Sequence, residues 1–206
     1  MHNSDNFIRK AKQDNSADKE SWESTLLVYL HDLVVMISVV VLLFALLFRL
    51  VIVSGTSMNN TLKNGDGLLI VSSVFYRHPK AGDIVVAKKA SFSDSPIIKR
   101  VIATEGQVVD IDFVEGIVYV DGVALDEPYT LTKTTHPEGM LFPLTVDEGC
   151  IFVLGDNRDG SKDSRSPEIG LIDTREILGK AVFLFLPGKG DGTEPRDFNR
   201  IGVLAS

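Results

Sequence analysis

Three stretches of the chain gather the residue types that do nucleophilic or acid–base chemistry. The first is Val53-Ser54-Gly55-Thr56-Ser57-Met58-Asn59-Asn60-Thr61-Leu62, a turn of small residues directly behind a long apolar run. It is suited to exposing a hydroxyl where a hydrophobic segment ends, though taken alone it reads more readily as a plain linker. The second, Ile97-Ile98-Lys99-Arg100-Val101-Ile102, places two consecutive cations inside an apolar strand. Successive strand side chains face opposite ways, so one of the pair is expected to point inward. A lysine ordinarily titrates near ~10.4, and desolvation among isoleucines and valines lowers that value by disfavouring the ammonium form. A lowering of roughly 2–3 units makes such a lysine a usable general base. The plainer reading of an isolated Lys-Arg pair is an edge strand whose two side chains both snorkel to water.

The third stretch, Gly155-Asp156-Asn157-Arg158-Asp159-Gly160-Ser161-Lys162-Asp163-Ser164-Arg165-Ser166, alternates charges and hydroxyls directly after the apolar GCIFVL. It is either a solvated loop or a network that holds a catalytic group in position. It is not an EF-hand calcium loop, because the glycine at the sixth position and the glutamate at the twelfth are absent. No histidine offers itself as a triad base: His31 borders the apolar run, and His78 and His136 each precede a proline.

These groups need elements to position them. Leu33–Val53 holds nineteen apolar residues out of twenty-one. As a helix it spans roughly the 30 Å of bilayer hydrocarbon, with Arg49 near its end and able to snorkel. A cleavable leader is the rival reading, and the polar segment before the run is too long and lacks a compact basic start. Arg9, Lys10, Lys12 and Lys19 precede the run, while only Arg49 and Lys63 lie close behind it. The positive-inside rule therefore puts the N-terminus in the cytoplasm. Residues 1–20 are polar and read as a disordered tail. Trp22 and Tyr29 suit the near interface, or are ordinary helix residues.

Beyond Val53 the pattern turns to β-branched runs punctuated by glycine. Strands are expected at 67–75, 83–89, 97–102, 107–113, 116–120, 149–155 and 180–186, with a tight hairpin at Asp121-Gly122. Residues 126–146, rich in proline, form a loop excursion. The domains read as a polar cytoplasmic tail over 1–32, a transmembrane anchor over 33–53, and an extracytoplasmic catalytic β domain over 54–206. The fold class is mainly β behind a single N-terminal transmembrane helix.

Composition narrows the function. Twenty-one Lys and Arg against 28 Asp and Glu give a net charge of −7, which leaves no basic stripe for nucleic acid. One cysteine, Cys150, excludes an internal disulfide framework and any four-cysteine zinc site. Neither a metal nor an organic cofactor is expected.

The three stretches, in this order and behind an apolar run, resemble the type I signal peptidases, membrane-bound serine proteases with a Ser/Lys dyad. The likeness covers about Arg49 to Pro187 and is strongest in GDNRDGSKDSR; GDIVV and GKAVFLFLP resemble framework strands. The resemblance implies Ser57 as nucleophile and Lys99 as general base. It implies that Ser161 hydrogen-bonds and orients the lysine amine, with Asp163 and Arg165 as a supporting ion pair. Carried over by position, Val51, Val53, Met58, Leu62, Leu68 and Ile98 line the substrate pockets. The implied substrates are secretory preproteins delivered by the export machinery and cut after small residues of the Ala-x-Ala type, with membrane lipid as the other partner. The chain departs from the family pattern at four places. Gly55 stands where some members place an oxyanion-hole serine, with Ser54 and Thr56 as substitutes, and Asn60 replaces a proline. Thr104-Glu105-Gly106 replaces a more apolar stretch, and Gly160 stands where asparagine is common. The short excursion resembles the compact Gram-positive versions. Two rivals are a self-cleaving Ser/Lys repressor, which lacks its DNA-binding half here, and a membrane-tethered β module that binds a partner.

Overall fold

The computed structural model describes residues 3–190, 192 and 195–204, and the chain divides into two units, 1–46 and 47–206. The first is one helix, α1 (Asn3–Leu47). The polar segment expected to be disordered is helical from Asn3 onward; residues 1 and 2 lie outside the described residues. Nothing between Asn3 and Leu47 breaks a helix: the segment has no glycine or proline, and its lysines, glutamates and alanines favour helix. Within it, Thr25–Leu47 is 23 residues long with mean hydropathy 2.6. That is long and apolar enough to cross a bilayer, at about 34 Å of helix.

The expected anchor, 33–53, is therefore displaced. Its last residues form β1 (Phe48–Ile52), paired antiparallel with β2 (Gly67–Ser72) from Phe48↔Val71 to Ile52↔Gly67. Periodicity cannot separate a β-branched apolar strand from the tail of an apolar helix. What separates them is β2, a partner nineteen residues later by Cα register at Leu50↔Leu69.

The second unit continues through β3 (Ile84–Ala87), β4 (Ile97–Thr104), β5 (Val108–Asp112), β6 (Ile117–Val120), β7 (Val123–Ala124), β8 (Leu144–Thr145), β9 (Cys150–Leu154), β10 (Ile172–Asp173), β11 (Ile177–Leu186) and β12 (Gly202–Val203). All seven expected strands are present, with shifted ends. The two-residue strands β8, β10 and β12 carry too little sequence pattern to be read in advance. A curled sheet runs β1-β2-β11-β3-β4-β9-β10, with β12 on β11, and a smaller sheet runs β7-β6-β5-β8. Asp121 and Gly122 turn the β6–β7 hairpin with φ of 52° and 77°, the two positive values that such a turn requires.

Three apolar clusters hold the sheets. Ile102, Ala103, Phe152 and Leu154 of the large sheet pack against Val109, Ile111, Val118 and Val120 of the small one. The two faces of β3 divide between the others: Ile84 and Val86 join Leu68, Ile70, Ala181 and Leu184, while Val85 and Ala87 join Val101, Val153 and Ile177. A strand apolar on both faces is fixed in register by both.

Candidate active site

β4 lies between β3 and β9, an interior strand, so the plainer alternative of an edge strand with both cations in water does not hold. Both are buried: Lys99 is 4% and Arg100 3% exposed. They part to opposite sides of the strand, as alternation requires. Lys99 Nζ lies 2.8 Å from Ser57 Oγ. Burial holds the Lys99 amine down to about 8, against the pull of the Asp163, Glu138 and Asp156 carboxylates and with help from the Arg165 cation.

The serine is carried by a turn pinned at several points. Val53 N–H donates to Asp66 O at 2.8 Å, and Gly65 N–H to Val53 O at 2.9 Å. Met58 and Leu62, buried behind Ser57, plug the turn into the cluster of Leu68, Ile70, Ile84 and Val86. On its other side the turn is tied to the charged segment: Asn157 N–H donates to Ser57 O at 3.0 Å, and Asn157 Nδ2 to Thr56 O at 3.2 Å. Gly155 makes this approach possible. A Cβ there would stand 2.1 Å from Ser161 Oγ and 2.5 Å from Ser57 O, so only hydrogen fits.

Asp163 and Arg165 form the expected ion pair, fully buried, at 2.9 Å. Asp163 also accepts from Gly155 N–H at 3.0 Å, and Arg165 Nη2 donates to the carbonyls of Arg158 and Ser161. The contact expected between Ser161 and the lysine amine is not formed. Ser161 Oγ is buried without a hydrogen-bond partner, in the space that a Cβ on Gly155 would fill.

A second network escaped the sequence reading. Arg100 grips Asp156 with two bonds, of 2.9 and 2.7 Å, and stacks on the Tyr129 ring 3.9 Å away. Thr61 Oγ1 donates to the same carboxylate at 2.5 Å. Arg158 in turn grips Glu127 and Thr134. These pairs tie the serine turn, the lysine strand and the loop excursion to one segment. The Arg100↔Leu154 register brings Asp156 within reach of Arg100, and no local pattern announces a register.

A groove of about 510 Å³ opens at Ser57 and Lys99, walled by Val51, Val53, Met58, Ile98, Val86 and Phe92. The first four were expected there; Val86 and Phe92 were not, since only the β3–β4 pairing brings them across. Leu62 and Leu68 are corrected: both are wholly buried, in the cluster under the turn rather than on the groove. Among the described residues no group of three or more His, Cys, Asp or Glu is arranged to hold a metal ion.

Comparison with known proteins identifies the family. The profile of the family described as "Signal peptidase, peptidase S26" matches residues 26–186. The chain belongs to that family. It is a serine-type signal peptidase, a protease that removes signal peptides. Signal peptidase I of Bacillus licheniformis is 32% identical over 173 residues, covering 80% of this chain and 91% of that one. The probable signal peptidase I-1 of Synechocystis is 36% identical over 161 residues, covering 72% and 79% respectively. A crystal structure of a signal peptidase I from Enterococcus faecalis aligns at 29% identity with a TM-score of 0.42, covering 50% of this chain and 97% of that chain.

Proposed function

We propose that this signal peptidase works through a Ser57/Lys99 dyad and cuts secretory preproteins after small residues of the Ala-x-Ala type. The observation that carries the reading is the 2.8 Å contact between Lys99 Nζ and Ser57 Oγ. With its amine near 8, Lys99 is neutral in a useful fraction of molecules at physiological pH. The neutral amine takes the proton of Ser57 as the oxygen attacks the scissile carbonyl. The resulting ammonium then protonates the leaving amine, and water repeats the cycle on the acyl-enzyme. The Ser57 N–H serves the developing oxyanion, with the adjacent Ser54 and Thr56 on the groove wall as sources of a second donor; a missing donor costs about 10²–10³ in rate. Asp163 and Arg165 keep the charged segment in place behind Ser161.

The apolar walls of the groove suit small aliphatic side chains. β1 ends the large sheet, with one edge unpaired among the described strands, so an extended peptide can add to it. The lysines and arginines before the span support a single pass with the N-terminus in the cytoplasm and the β unit outside, where exported preproteins emerge. The decisive experiment uses the full chain in detergent with a preprotein ending its signal in Ala-x-Ala. Wild type is expected to cleave there, and Ser57→Ala and Lys99→Ala to fall by at least about 10³-fold. Unimpaired cleavage by either variant refutes the dyad.

A further inference from the structure

Glu138 lies in the loop excursion, far in sequence from every stretch that pointed to catalysis, yet it meets the buried ion pair behind the site. Arg165 Nη2 is 3.3 Å from Glu138 Oε1, and the same guanidinium bonds Asp163 through Nε and Nη2. The segment that carries Glu138 is clamped to the same arginine on both sides. Arg165 Nη1 donates to His136 O at 3.1 Å, and Met140 N–H donates to Arg165 O at 2.9 Å. Glu138 then borders Gly160, Ser161 and Lys162, while Gly160 and Lys162 also border the groove that holds Lys99. Its second oxygen is buried without a hydrogen-bond partner. A carboxylate held half-buried by charge, and poorly solvated on one side, acts on its surroundings mainly through its field.

We propose that Glu138 is a positioning residue of the catalytic site: it closes a carboxylate–guanidinium–carboxylate cluster with Arg165 and Asp163 that sets the charge balance around Lys99. The proposal rests on Lys99 being the base. The charges facing Lys99 are Asp163, Glu138 and Asp156, which favour its ammonium, and Arg165, which opposes it. Glu138 itself faces Asp163, Arg165 and Lys162; burial and the Asp163 charge push its own carboxyl upward. Burial lowers the basicity of the amine, and the carboxylates around it act in the opposite direction. The second carboxylate restores part of that basicity.

The test is the rising limb of kcat/KM against pH, measured on the full chain in detergent for wild type, Glu138→Gln and Glu138→Asp. Removing one anion makes Lys99 easier to deprotonate, so the Glu138→Gln limb is expected to move down by about half a pH unit or more. Glu138→Asp is expected to stay near wild type. A Glu138→Gln limb that coincides with wild type while thermal stability falls marks a purely structural residue and overturns the proposal. Should Glu138→Gln not fold, Glu138→Met carries the same test; if neither neutral variant folds and Glu138→Asp does, the charge serves folding and the proposal also fails. Lys99→Ala separates the two readings. Cleavage surviving in Lys99→Ala removes the dyad itself, whereas an inactive Lys99→Ala with an unmoved Glu138→Gln limb removes only the role of Glu138.

Discussion

The proposed base, Lys99, must be neutral to accept a proton and basic enough to hold it, and its burial decides the compromise. Its pKa, lowered from 10.5 to about 8, fixes the direction of two pH dependences. Only the neutral amine accepts a proton, so kcat/KM is expected to rise with pH and level off above about 8. A rate profile across pH 6–10 checks this, and Lys99→Arg is expected to show no limb because a guanidinium stays charged throughout. Stability runs in the same direction for a different reason. Between about 8 and 10.5 the unfolded chain binds the proton more readily than the folded one, so stability contributed by this group rises with pH through that window. Below pH 8 the folded state carries the whole penalty, about 3 kcal/mol. Lys99→Met is therefore expected to be inactive yet to melt at higher temperature than wild type at pH 7, with the advantage shrinking towards pH 10.5. Melting curves at the two pH values test it.

At the scale of elements, the site is where three chain segments are forced into contact. β4 brings the lysine, the turn after β1 brings the serine, and the charged segment after β9 locks both. Gly155 is the narrowest point of that contact, with Ser161 Oγ and Ser57 O both inside the space of a methyl group. Gly155→Ala is expected to push Ser57 away from Lys99. A displacement of about 1 Å costs about 10²-fold in rate, and overpacking costs about 1–3 kcal/mol in stability. Paired measurement of kcat/KM and thermal midpoint reads both losses; an alanine variant with wild-type kinetics would show that the segment yields without moving the serine.

At the scale of the whole chain, an apolar helical segment is followed by a β unit. Thr25–Leu47 is long and apolar enough to cross a bilayer, and it ends before the strand that leads into the turn carrying Ser57. The full chain is expected to remain in the membrane pellet after alkaline carbonate extraction. Replacing Val40 and Leu43 with aspartate, each charge costing about 2.5–3.5 kcal/mol near the helix centre, is expected to shift it to the supernatant. A wild-type chain released by carbonate would refute membrane anchoring by this helix.

Much of this was legible in the sequence because it rests on local physics. The seven main strands follow from β-branched runs, the Asp121-Gly122 hairpin from backbone stereochemistry, the existence of an apolar helix from its length, and the Ser57 and Lys99 pairing from residue type and resemblance. What the tertiary structure decided depends on register and partners distant in the chain. It made Phe48–Ile52 a strand by supplying β2, buried Arg100 against Asp156, and sent Leu62 and Leu68 into the core instead of the groove. It also left Ser161 without its expected bond and brought Glu138 to Arg165. Hydrophobicity and turn chemistry act over a few residues and are written in order along the chain. Charge pairing in a buried site acts through space, and only the folded sheet determines which charges share that space.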